Sequence, residues 1–179
     1  NKIPKNPMIN SGAITTHSLI HTEAGTDRAE TLRAFLSELA GRELEFDQQV
    51  YRSELETAFR NLSIGYMLRT VGVLEEDPVA LVQGYIRQCA IKVTVKDLAQ
   101  MAGVLANGGV QAKTGKRLLS RAVVRQVLSV MMTCGMYDAA GDWLTTVGIP
   151  AKSGVAGGIR GVLPGQVGIA VFSPKLDEH

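Results

Sequence analysis

Apolar positions along the first two thirds of the chain recur at helical spacing, and those near its end fall in short β-branched runs. Asn10-Ser11-Gly12 is predicted to open a short helix through His17 to Ile20, because Asn and Ser side chains accept hydrogen bonds from the free amides of a first turn. Thr26 is predicted to cap a second helix, with Leu32, Phe35, Leu36 and Leu39 on one face and Gly41 just past its end. Asp47 starts a third that runs to about Leu68. Asp77-Pro78 sets a cap before a proline at the first helical position, and that helix reaches about Cys89. Thr94 to Ala106 reads as a helix closed by Gly108-Gly109, and Ser120 to Thr133 as another stopped by Gly135.

The texture then changes. Leu144 to Val147, Val155 to Leu163 and Val167 to Phe172 are short, β-branched and bounded by glycine, and are expected to be strands. Pro164-Gly165 is a turn signal that makes the last two a hairpin. Helices followed by late antiparallel strands predict an α+β fold, with the strands packed on the helices. A last strand ending at Ser173-Pro174 leaves its sheet with one face to cover, so the domain is expected to be incomplete.

Composition narrows the function. With 179 residues, 45% apolar and 20% charged, the chain is expected to form one ordinary domain or a large part of one. A net charge of +2, without blocks of like charge, gives no basis for binding nucleic acid or an anionic membrane. Every apolar run is interrupted well before the length of a membrane span, and no signal peptide leads from Asn1. Cys89 and Cys134 both fall in predicted helices and make no disulfide framework, so reduced thiols and a cytoplasmic location are expected.

Five constellations could carry chemistry. His17 and His21 are one helical turn apart, but they lack a third ligand, and no metal is expected. Gly154, Gly157 and Gly158 have no lysine after them and lead into a strand, which excludes a phosphate loop; Gly109 to Lys116 misses the same pattern by one residue. Glu54 and Asn61, seven residues apart, are expected on one face of a single helix, ~10 Å apart along its axis, with small Thr57 and Ala58 between them. That arrangement offers a carboxylate and an amide to a polar ligand, or is a solvated face. Tyr137 follows a helix end, where its hydroxyl could shuttle a proton or belong to an ordinary amphipathic side chain.

The fifth is Lys152-Ser153-Gly154. A Lys-Ser/Thr-Gly strand beside an active site recurs in penicillin-binding proteins and β-lactamases, where it supplies an amide to the oxyanion. Those enzymes also carry Ser-x-x-Lys on a helix, and no lysine of this chain has a serine three residues before it. Ser153 is therefore not expected to be a nucleophile. Residues 150–159 are expected to be a sheet edge whose glycines let the backbone reach a substrate.

Taken together, "KNPMINSGAI" from Lys5, "SELETAFRNLSIGYML" from Ser53, "LANGG" from Leu105, "CGMYD" from Cys134 and "GIPAKSGVAGGI" from Gly148 resemble, in order and spacing, the bacterial and mitochondrial-type glutaminases. The resemblance spans nearly the whole chain. It implies a serine β-lactamase/transpeptidase-like fold and hydrolysis of L-glutamine to L-glutamate and ammonia through a serine acyl-enzyme, with no cofactor. It implies that Asn10, Asn61 and Tyr85 bind substrate and that Glu54 pairs with the substrate α-ammonium. Tyr137 would contact the scissile amide and transfer a proton, and Val155 would offer its amide to the oxyanion. It further implies a homo-oligomer, dimer or tetramer, and activation by inorganic phosphate. The family's nucleophilic serine and its lysine partner precede the asparagine motif. Residues 1–179 are thus expected to be the C-terminal larger part of one catalytic domain, without its nucleophile or final helix, and inactive alone. Two alternatives remain: a serine acyl-hydrolase acting on β-lactams or peptidoglycan, for which Glu54 has little use, and a non-catalytic amino-acid-binding module.

Overall fold

Asp27, Asp47, Asp77, Thr94 and Ser120 each accept a hydrogen bond from an amide in the first turn of the helix that follows. The computed structural model describes residues 4–22 and 27–174. Thr26, the predicted second cap, lies outside them, and Asp27 does that work through the Glu30 amide at 2.7 Å. The chain divides into two units: Asn1–Phe35 with Leu44–Lys92, and Leu36–Glu43 with Val93–His179.

The first unit is helical. It contains α1 (Asn10–Ser18), the start of α2 (Arg28–Ala40), α3 (Gln48–Glu56), α4 (Phe59–Thr70) and α5 (Pro78–Cys89). Ile14, Leu68, Leu74, Leu81, Val82 and Ile86 are its buried core, joined by Ala58 and Tyr85. Burial of such side chains supplies the main driving force, roughly 1.5–3 kcal/mol each. His17 is buried with them; its Nδ1 lies 2.6 Å from Gln88 Oε1, and burial holds its pKa below the ordinary value.

Two expectations fail in this unit. α1 starts after Ile9 with no side-chain cap, because the Asn10 amide is engaged elsewhere. The single helix predicted from Asp47 to Leu68 is two. Thr57 leaves helical geometry (φ −109°, ψ 17°), and the Ala58 amide makes a tight turn onto the Leu55 carbonyl at 3.3 Å. Ala58, only 4% exposed, is drawn into the core at the break. A pair of backbone bonds, Asp47 amide to Ala90 carbonyl at 2.7 Å and Lys92 amide to Glu45 carbonyl at 2.8 Å, flanks a bridge between Phe46 and Ile91.

The second unit holds α6 (Val95–Ala106), α7 (Arg121–Cys134), a 3-10 turn (Tyr137–Ala139), α8 (Ala140–Thr146) and strands β1 (Ala151–Ser153), β2 (Gly158–Leu163) and β3 (Val167–Phe172). The strands form an antiparallel sheet in the order β1-β2-β3, with Lys152 opposite Arg160 and Arg160 opposite Ala170. The predicted hairpin through Pro164-Gly165 is there, closed by the Gln166 amide on the Leu163 carbonyl at 3.0 Å. β2 and β3 pack on α6 so closely that a Cβ on Gly168 would lie 2.1 Å from the Gly103 nitrogen. On the opposite face Val167, Ile169 and Val171 are exposed.

Here too the sequence reading needs correction. Leu144 to Val147 is not a strand: Leu144 to Thr146 close α8. The Trp143 carbonyl takes the Val147 amide, the Trp143 indole donates to the Ile149 carbonyl at 2.8 Å, and the Thr145 and Thr146 hydroxyls donate to the Asp142 carbonyl. The strand predicted from Val155 starts only at Gly158, because Gly154 to Gly157 make the turn between β1 and β2.

Asp97 ties α6 to the segment before it. Its carboxylate takes Arg42 in a two-bond fork (2.8 and 2.6 Å) and also accepts from the Thr94 amide and hydroxyl, both at 2.7 Å. Arg42, and then the Thr94 donors, hold its pKa down to about 2. A depressed carboxylate stabilises the fold above its ordinary pKa, and that contribution fades as pH falls through the folded value. Asp97→Ala is expected to cost about 2–3 kcal/mol at neutral pH in urea unfolding. The gap between variant and wild type should close as pH drops from roughly 4 to 2; a gap independent of pH would contradict this account.

Candidate active site

The first unit brings four of the expected ligands into two groups. Asn10 opens α1, and its Nδ2 donates to Asn61 Oδ1 in the first turn of α4 at 2.8 Å. An amide pair joined in this way leaves the Asn10 carbonyl, one Asn10 N–H and both Asn61 N–H groups for a polar ligand. The break at Thr57–Ala58 sets Glu54 on α3 and Asn61 on α4, so the shared helix face expected from their spacing does not exist.

The Glu54 carboxylate instead lies close enough to α5 to act on the charge of Cys89. Tyr85 and Cys89 lie one turn apart there, and the Tyr85 hydroxyl bonds the Cys89 sulfur. Cys89 as a residue is exposed, yet desolvation of its sulfur pushes the thiol above its ordinary pKa; the Tyr85 bond opposes the rise, and the Glu54 carboxylate adds to it. Tyr85 is 9% exposed and belongs to the core, with the His17 ring edge-on at 6.5 Å, whereas Glu54 is exposed. A fixed hydroxyl and an exposed carboxylate therefore meet around one thiol. Cys89 was missed as a neighbour of the site, although its spacing from Tyr85 on a helix was available in the sequence.

The second unit holds the other two residues. Gly135 ends α7 against β1: a Cβ there would lie 1.8 Å from the Ala151 carbonyl oxygen, and the Ser153 amide donates to the Gly135 carbonyl at 3.1 Å. The chain leaving this junction reaches Tyr137 with φ +51°, left-handed geometry that costs a non-glycine residue about 1–2 kcal/mol. Strain of this kind concentrates at functional positions. The Lys152 ammonium sits 4.3 Å from the centre of the Tyr137 ring. The ring is 44% exposed, leaving it open to a ligand.

Val155 lies at the tip of the β1–β2 turn, 83% exposed. The turn is closed by Gly154 and Gly157, whose amides bond the Gly158 and Gly154 carbonyls at 2.8 and 3.0 Å. Among the described residues the Val155 amide has no acceptor, so it is a donor left over for a ligand. β1 is the outer strand of the sheet, as the glycine-bounded stretch predicted.

That edge strand, stitched to a helix end that carries a tyrosine, places the chain among the β-lactamase-like folds, as its structural neighbours do. The chain belongs to the glutaminase family, whose model matches residues 1–179. It is 57% identical over 176 residues to a glutaminase of Corynebacterium glutamicum, covering 97% of this chain and 43% of that protein. It is 54% identical over 178 residues to the glutaminase of Corynebacterium efficiens, covering 98% and 42%. The chain thus spans less than half the length of these curated relatives. Among solved structures, Mglu in its glutamate form matches with a TM-score of 0.93 at 52% identity, over 98% of this chain and 40% of that one. The Bacillus subtilis glutaminase YbgJ, in covalent complex with 5-oxo-L-norleucine, matches with a TM-score of 0.91 at 35% identity, over 98% and 62%.

The thiol reports on the carboxylate. In a Cys134→Ser background, Glu54→Gln is expected to lower the pH midpoint of Cys89 alkylation, since it removes a negative charge that favours the neutral thiol. A midpoint that stays or rises would show that Glu54 does not face Cys89.

Proposed function

We propose that this chain is the larger part of a glutaminase catalytic domain that hydrolyses L-glutamine to L-glutamate and ammonia through a serine acyl-enzyme. The observation that carries the reading is the membership of residues 1–179 in the glutaminase family, together with a 35%-identical relative caught in covalent complex with 5-oxo-L-norleucine. The nucleophile and its lysine base lie outside these residues, consistent with the absence of Ser-x-x-Lys from the sequence.

Each site residue has a chemical task. Glu54 takes the α-ammonium; Asn10, Asn61 and Tyr85 bind the remaining polar groups of the substrate. The leftover Val155 amide holds the oxyanion, a donor of a kind worth roughly 10²–10³ in rate. Tyr137 relays protons. As the C–N bond breaks, its Oη gives a proton to the leaving nitrogen and is reprotonated with the proton that the lysine base has drawn from the attacking serine hydroxyl, so ammonia departs and both phenol and lysine end as they began. In deacylation the same relay carries a proton from water to the serine oxygen. We further take the parent protein to be a cytoplasmic homo-oligomer, dimer or tetramer, activated by inorganic phosphate. The exposed Phe59, Tyr66 and Met67 on α4 give an oligomer apolar surface to bury. Sedimentation of the parent protein with and without phosphate checks both; a monomer whose turnover ignores phosphate would refute them.

The decisive assay is glutamate release by the full-length protein that carries these residues. Glu54→Ala is expected to lose about 10²-fold or more in kcat/KM, since a charged ligand group would be left unpaired, and Tyr137→Phe about 10²–10⁴-fold in kcat. The 179-residue chain alone should release none. A full-length protein that binds glutamine through Glu54 without turning it over would instead be an amino-acid-binding module.

A further inference from the structure

Lys152 and Arg160 stand directly opposite one another on β1 and β2, so their side chains share one face of the sheet. Like charges in that position repel, and a sequence keeps such a pair only where something offsets the cost. Among the described residues no carboxylate pairs with either cation, and the Arg160 Nε is buried without a hydrogen-bond partner. The Lys152 ammonium donates to the Ser153 carbonyl and otherwise rests over the Tyr137 ring at 4.3 Å. Burial, and then the Arg160 charge, hold Lys152 below its ordinary pKa, which marks the ammonium as poorly solvated; a poorly solvated cation gains most from an aromatic face.

We infer that Lys152 is a positioning residue for Tyr137: its ammonium clamps the strained tyrosine ring from one face and supports the negative charge that the phenol oxygen carries between giving up one proton and taking the next. This inference rests on the proton relay proposed above. Lying over the ring face, the ammonium leaves the hydroxyl free for the substrate. The stitch between Ser153 and Gly135 keeps both partners in register, because it joins the strand bearing Lys152 to the helix end that precedes Tyr137. The Lys-Ser-Gly stretch then has two tasks, the lysine acting on Tyr137 and the glycine turn presenting the Val155 amide.

The test is steady-state kinetics of the full-length protein. Lys152→Met keeps the length and packing of the stem and removes the charge. It is expected to lower kcat about 10–100-fold, with KM changed less than about threefold, as for an interaction made in the transition state, and with an unaltered melting temperature. Lys152→Arg, which still sets a cation over the ring, should recover most of the loss. In a Tyr137→Phe background Lys152→Met should cost little more, because the relay it serves has already gone. If Lys152→Met melts early, the comparison moves to Lys152→Gln against Lys152→Arg, read in the same way. Full activity of a folded Lys152→Met beside an impaired Tyr137→Phe would overturn the inference and leave the proposed function standing. Losses that multiply in the double variant would overturn it too. If Tyr137→Phe keeps full kcat, the relay falls, and this inference falls with it.

Discussion

The bond from the Ser153 amide to the Gly135 carbonyl is the joint on which the arrangement of the second unit depends. A helix end and a sheet edge carry Tyr137 and Lys152 on different stretches of chain, and without a fixed joint the two would drift by more than the proposed proton relay tolerates. The close approach of the Ala151 carbonyl explains why residue 135 carries no side chain: any Cβ would prise the strand away. Tyr137 receives its left-handed backbone just beyond the joint, Lys152 reaches the ring from the strand, and the turn that follows lifts the Val155 amide clear of the sheet. One main-chain contact thereby organises a phenol, a cation and a free backbone amide.

In the proposed function the helical unit has a different problem, that of holding an amino acid by its charges. Its polar groups are anchored by partners that are themselves placed by the core. Asn10 is held by Asn61, and Tyr85 is fixed at the edge of the apolar cluster and bonded to Cys89. Glu54 is left exposed and, among the described residues, has no hydrogen bond such as the one that holds the exposed Asn10 to Asn61. Under the proposed role, a carboxylate that exchanges water for a substrate ammonium loses less when it starts hydrated than when it starts buried.

Features set by local chemistry were legible in the sequence. Asp77-Pro78 and the Thr94–Asp97 capping box mark helix starts through side chains a few residues away, and Pro164-Gly165 marks its hairpin. Legibility ended where tertiary contacts decide. The break at Thr57–Ala58 has no breaker residue; it exists because the core accepts Ala58 there, and with it went the shared face of Glu54 and Asn61. Leu144 to Val147 has strand-like composition, yet the Trp143 indole bonded to Ile149 makes a helix end of it. Asn10 looked like a cap and is a partner of Asn61, 51 residues on. The site residues Asn10, Tyr85 and Val155 came from family resemblance, because no spacing rule joins an asparagine, a tyrosine and a valine. Lys152 stood in a motif, but nothing in the motif pointed to Tyr137.

The bridge between Phe46 and Ile91, with its two flanking backbone bonds, makes residues 48–89 an excursion that leaves and returns at one point. For folding, this concentrates a long loop closure in a single contact, whose entropic cost grows only with the logarithm of the loop length. For evolution, the helices inside that loop form a cassette: their connections can lengthen or shorten while the entry and exit stay fixed. Diversity among relatives should therefore gather in the turns between α3, α4 and α5, and a circularly permuted protein opened in one of those turns keeps the gateway closed.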